Sequence, residues 1–125
     1  MTERDTANAE TLAQRGLDLL SGGAPHEAAR SFRAAIAADA QYMDAYYGLV
    51  RALREAGQLE GSIGAALAIT VLTPGDSRAH EALAFSLRLA GHLREAQTAA
   101  ARARVLEWKS ALQSPAQAPE PDRGL

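Results

Sequence analysis

Residues 12–35 read LAQRGLDLLSGGAPHEAARSFRAA, and this stretch decides the fold. Its opening places Leu12, Gly16 and Leu19 on one face of a helix, at the spacing of a 3.6-residue period. Gly23 then interrupts the pattern, and a glycine at such a point takes the left-handed conformation that ends a helix. Pro25 follows, where the first turn of a new helix tolerates its missing N–H. Ala28, Phe32 and Ala35 resume helical spacing at once. The stretch therefore reads as helix, tight turn, helix.

The same unit recurs outward from there. Gly23, Gly57 and Gly91 stand 34 residues apart, and Leu19, Leu53 and Leu87 keep that interval. Gly16, Val50 and Ala84 hold the register, as do Ala28, Ser62 and Ala96. Tyr46, Leu49, Val50 and Leu53 form the apolar face of one helix, and His80, Leu83, Ala84 and Leu87 that of another. Pro74, Gly75 and Asp76 punctuate the chain before the third unit. The pattern predicts helices over about 8–21, 25–38, 42–56, 59–72, 77–90 and 93–112.

These residues resemble the tetratricopeptide repeat family, whose 34-residue unit is a helix, a tight turn and a second helix. Ala28, Phe32 and Ala35 match the family's second-helix pattern. Ser62, Ala66 and Ile69, with the terminal Pro74, match it less closely, and Ala96, Ala100 and Ala103 carry it in the third unit. The resemblance implies an all-α fold, a right-handed superhelical solenoid of three helix-turn-helix repeats over about 9–42, 43–76 and 77–110. Residues 1–8 are expected as a disordered N-terminus, and 111–125 as the end of the last helix and a disordered tail containing Pro115, Pro119 and Pro121. Two departures stand out. Leu12 and His80 replace the family's bulky aromatic, which only Tyr46 retains, and Trp108 stands where a proline would end the third repeat.

Composition agrees with one helical domain. The 125 residues include 29 alanines and six aromatics, which favours helices whose axes approach closely. Thirteen cations against fifteen acids give a net charge of −2, without the clustered positive excess that nucleic-acid binding needs. Twelve of those cations are arginine. With no cysteine there is neither a disulfide framework nor thiolate chemistry. No apolar run suits a membrane span or a signal peptide, so the expected location is cytoplasmic.

Chemistry is missing from the sequence. His26, His80 and His92 lack metal-ligand spacing, with His80 expected to be a packed histidine on its helix's buried stripe and the other two solvent-exposed. No phosphate loop, dinucleotide fingerprint or nucleophile elbow occurs. Gly61, Ser62 and Gly64 read as small residues for close helix contact, and Asp39 and Asp44 as charges that offset helix dipoles. No catalytic residue, cofactor or metal is expected.

In a stack of this kind the first helix of each pair lines the concave side. Beside the buried stripe run Ala13, Leu17 and Leu20, then Tyr47, Arg51 and Arg54, then Glu81, Phe85 and Arg88, with Asp44 and Arg78 toward the helix starts. Aromatic anchors flanked by arginine are the composition of a recognition surface. The expected groove is therefore Leu17, Asp44, Tyr47, Arg51, Arg54, Arg78, Glu81, Phe85 and Arg88, and its partner a peptide or protein with apolar and acidic side chains. The plainer alternative has the large residues wedged between first helices and the arginines solvated or paired with Glu55 and Glu81. Chaperone-associated members of the family grip a terminal carboxylate with lysines and asparagines. Ala13, Leu17, Gly48, Arg78 and Ala82 do not assemble that grip.

A second expectation is self-assembly through the uncovered last helix, with Leu93, Val105, Leu106 and Trp108 as its surface, and a third is an accessory role in an enzyme complex.

Overall fold

The computed structural model describes residues 3–113. Six helices follow one another: α1 (Glu3–Ser21), α2 (Pro25–Ala38), α3 (Met43–Glu55), α4 (Leu59–Leu72), α5 (Ser77–Leu89) and α6 (Leu93–Gln113). The fold is an all-α solenoid of three helix pairs, with no strand among the described residues.

Each pair is closed by the same turn. Gly23, Gly57 and Gly91 sit at φ of 80°, 77° and 86°, a region that side-chain-bearing residues avoid. Past each glycine, Ala24, Gln58 and His92 donate their backbone N–H to the carbonyls of Leu19, Leu53 and Leu87 at 2.8–2.9 Å. This is the hydrogen bond that closes a helix with a left-handed glycine. The leucines repeat with the glycines because each one accepts the turn's closing bond while its side chain packs inward. A polar link between residues 32 apart also joins successive units, His26 with Gln58 at 3.4 Å and His92 with Glu60 at 3.1 Å.

Packing sets the curvature. Each helix contacts its chain neighbour, and α1 touches α3 as α3 touches α5. Among the described residues the backbones of α2, α4 and α6 do not come close to one another. A stack pinched along its first helices and splayed along its second helices is concave on the α1, α3 and α5 side. The pinch is tightest at Phe32, which is 1% exposed. A Cβ on Gly16 of α1 would lie 2.7 Å from its ring, and one on Gly48 of α3 would overlap it. These two glycines let a full aromatic ring fill the joint between the first two repeats.

Several expectations change. Helix α1 begins at Glu3, so residues 3–8 are helical, not a disordered terminus. Ala9 is fully buried, and one turn earlier the Thr6 hydroxyl donates to the Asp39 Oδ2 at 3.2 Å, which ties the extra turn to the end of α2. Residues 1–2 and 114–125, including the rest of the expected tail, lie outside the described residues. Asp39 caps the C-terminus of α2, where a negative charge does not offset the dipole. It is buried and holds Thr6 and the Gln41 N–H. His80 is half-buried with its Nε2 3.1 Å from the Pro74 carbonyl. Ser62 is fully buried, but Gly64 faces open space and mediates no close contact.

Candidate functional site

The concave face carries two hollows. The first, about 310 Å³, has the edge of Phe32 as its floor and is walled by Leu17 of α1 and by Asp44, Tyr47, Gly48 and Arg51 of α3. Gly48 shapes it twice, since its missing side chain admits the ring from below and opens the floor from above. The second, about 250 Å³, is walled by Glu81, Phe85 and Arg88 of α5 and by Arg104 of α6. Leu17 is 43% and Phe85 45% exposed, so neither is spent on the core.

Arginine–aromatic stacks bridge the hollows. The Arg78 guanidinium lies 4.3 Å from the Tyr47 ring centroid, and that of Arg54 4.3 Å from that of Phe85. Each stack runs between α3 and α5 and holds a flat ring in a fixed orientation, worth about 0.5–1 kcal/mol at such partly exposed places. Arg51 instead pairs with Glu55 one helical turn on, at 2.7 Å. The plainer alternative thus describes Arg51, and also Tyr47, which is half-buried against the core of Val50 and Ile69, whereas Leu17 and Phe85 stay exposed.

Electrostatics mark Tyr47 and Arg54. Burial, and next the Asp76 carboxylate, push the Tyr47 phenol above its ordinary pKa, with Arg78 acting the other way. Asp76 acts both by charge and as a nearby acceptor for the buried hydroxyl, which it meets outside strict hydrogen-bonding geometry. Desolvation lowers the Arg54 pKa, with Glu55 opposing it and Arg51 adding to it.

Two contributors escape a reading of first helices alone. Phe32 is on α2 and reaches the groove only because Gly16 and Gly48 are glycines. Arg104 is on α6, at the register position that Ile36 and Thr70 occupy in the earlier repeats. A charge at a place otherwise neutral was its signal. Of the expected assembly residues, Leu93, Val105 and Trp108 are exposed, whereas Leu106 is half-buried.

A larger and more apolar hollow, about 530 Å³, opens away from the groove where α4 and α6 splay, lined by Ile63, Leu67, Leu83 and Leu87. Among the described residues no group of histidine and acidic side chains is arranged to hold a metal. No described helix is long and apolar enough to cross a membrane.

Paired helices stacked at a 34-residue period, with a side-chain-lined concave face, define a helical-repeat protein of the interaction type. The chain belongs to the tetratricopeptide repeat family, whose profile matches residues 19–84, over half of its length. Two solved structures share the fold. MamA superposes with a TM-score of 0.77 at 26% identity, over 86% of this chain and 63% of that one. The chain thus spans less than two thirds of that neighbour's length. The Yersinia enterocolitica type III secretion translocator chaperone SycD, in an alternative dimer, gives a TM-score of 0.75 at 21% identity, over 92% of this chain and 91% of that one. No curated protein sequence matches the chain. Fold and family support a protein–protein interaction module.

Proposed function

We propose that this protein is a non-catalytic scaffold that holds a peptide or partner protein in its concave groove. The observation that carries this reading is the hollow over Phe32, flanked by the exposed Leu17 and by the Tyr47 ring held under Arg78. Rigid aromatic surface costs little entropy to present, and an open recess beside it gives a side chain somewhere to go. Leu17, Tyr47 and Phe85 suit apolar groups, and the arginines suit acids, although Asp44 and Glu81 stand in the same walls.

A photo-crosslinking amino acid placed at position 47 tests this, with the same label at Leu67 on the other side as control. Partners from the native cell extract should crosslink from position 47, and the Tyr47, Arg51, Phe85 triple alanine variant should lose them with its helicity intact. Crosslinks from position 67 alone would move the site to the hollow between α4 and α6.

One observation favours self-assembly as a second reading. Ala101, Val105, Trp108 and Leu112 recur at intervals of four, three and four along α6, and the last three are 50%, 54% and 56% exposed. That is the stripe a second helix covers. Trp108→Glu should then lower the mass in solution.

A further inference from the structure

The arginines of the concave side are not equivalent. Arg51 is held by Glu55, and Arg54 and Arg78 lie over rings. Arg88 and Arg104 have no ion pair, hydrogen bond or ring contact among the described residues. Both line the Phe85 hollow, and both also line a neighbouring hollow of about 230 Å³ with Leu93 and Gln97 in its wall. That second wall contains no carboxylate. The Phe85 hollow does hold Glu81, as the hollow between α1 and α2 holds Glu27 beside Arg15 and Arg30, but among the described residues Glu81 forms no ion pair with Arg88 or Arg104. Two unpaired guanidiniums facing one recess repel each other, and an anion between them removes that cost.

The register sharpens the point. Arg54 and Arg88 are the same position one repeat apart, and Arg54 lies over Phe85 of the next repeat. No described helix follows α6 to give Arg88 such a ring. The charge of α6 also favours an acidic visitor. It carries Arg94, Arg102, Arg104 and Lys109 against Glu95 and Glu107, four minus two, or +2, on a chain of net charge −2.

We propose that Arg88 and Arg104 form a carboxylate-reading subsite at the α6 end of the groove. It takes an aspartate or glutamate side chain from a peptide whose apolar neighbours rest on Phe85 and Leu93. This rests on the groove reading above and adds the residue class recognised. A side chain fits better than a chain terminus because a hollow lies on either side of the arginine pair, so the ligand continues past it in both directions.

The test uses the full chain and a phage-displayed library of random 12-residue peptides, with the selected peptides then synthesised both amidated and as free acids. Wild-type protein should select an acidic residue beside apolar ones. The amidated peptide should bind about tenfold more weakly to Arg88→Gln/Arg104→Gln, the scale of a charge-assisted hydrogen bond. Selection on Arg88→Glu/Arg104→Glu should change the acid to lysine or arginine, a switch that loss of fold does not produce. Peptides that need Tyr47 but show no acidic preference, and that ignore Arg88→Gln/Arg104→Gln, overturn the subsite and leave the groove reading standing. Peptides indifferent to both Tyr47→Ala and the arginine changes, or no peptide at all, count against both. Binding of free acids alone overturns the side-chain assignment in favour of a chain terminus.

Discussion

At one register position the three second helices carry Phe32, Ala66 and Ala100, and the molecule differs accordingly from one end to the other. The first joint puts its volume in one ring and takes it from the walls, Gly16 and Gly48. The second joint shares it out, with Ala66 fully buried beside Val50, Ile69 and Ala79. At the third, Ala100 is half-buried and lines the hollows of Arg88 and Arg104. The first helices follow the same gradient, with Gln14 and Asp18 of α1 bonded to each other on the surface where the matching Gly48 and Ala52 of α3 are buried. Among the described residues one end is packed and carries polar groups, and the other leaves apolar and cationic surface exposed. A repeat scaffold can concentrate stability in one joint and display in another because each unit contacts only its neighbours.

Phe32→Ala should do most damage to this contrast. Removing a fully buried ring whose walls are already glycine leaves a cavity that nothing nearby can fill, a cost of about 3–5 kcal/mol. Urea denaturation measures it, and a loss under ~1 kcal/mol would show that the first joint does not carry the stability assigned to it. Next in size is a matched pair of glycine substitutions. Gly48→Ala drives a methyl group into the Phe32 ring and should cost about 1–3 kcal/mol. Gly64→Ala, mid-helix in α4 with nothing near its added methyl, should gain about 0.5–1 kcal/mol. The same chemical change is expected to take opposite signs at the two places, and equal signs in thermal melts would remove the distinction between closed and open joints.

The 34-residue glycine and leucine register made the fold legible, because each recurring residue has a local job at the turn that no distant contact can override. The start of α1 was not legible. Its first turns are polar, and what holds them is Asp39, a residue 33 positions from Thr6 whose burial depends on the folded stack. Candidate groove residues were legible as a stripe on the first helices, since helical spacing alone brings Tyr47 and Arg51 to one side. Which arginine meets which ring was not, as Arg54 and Phe85 lie on different helices and their stack depends on how α3 crosses α5. Arg104 shows the same limit, because nothing in the spacing of α5 points to a residue of α6.

The smallest expected effect separates stability from display most cleanly. Ser86 buries a hydroxyl that has no partner among the described residues, and the buried Tyr47 hydroxyl meets the Asp76 carboxylate only outside strict hydrogen-bonding geometry. An unsatisfied buried hydroxyl costs stability, so removing it is neutral or favourable. Ser86 is fully buried where Ala52 stands one repeat earlier, and Ser86→Ala should gain about 1 kcal/mol without affecting any ligand. Tyr47→Phe should change stability by no more than ~0.5 kcal/mol near neutral pH. It should also alter the alkaline limb, with the sign fixed by the raised phenol pKa. The folded state disfavours phenolate, so the neutral phenol's contribution is intact below about pH 10 and is lost as pH rises through the folded value. The phenylalanine variant, with nothing to ionise there, should denature less steeply in that range. If Tyr47→Phe leaves stability unchanged but weakens the peptides selected on the wild type, the hydroxyl is held for a ligand. Equal binding by both would leave the ring alone as the contact, and the hydroxyl as a cost the groove carries without return.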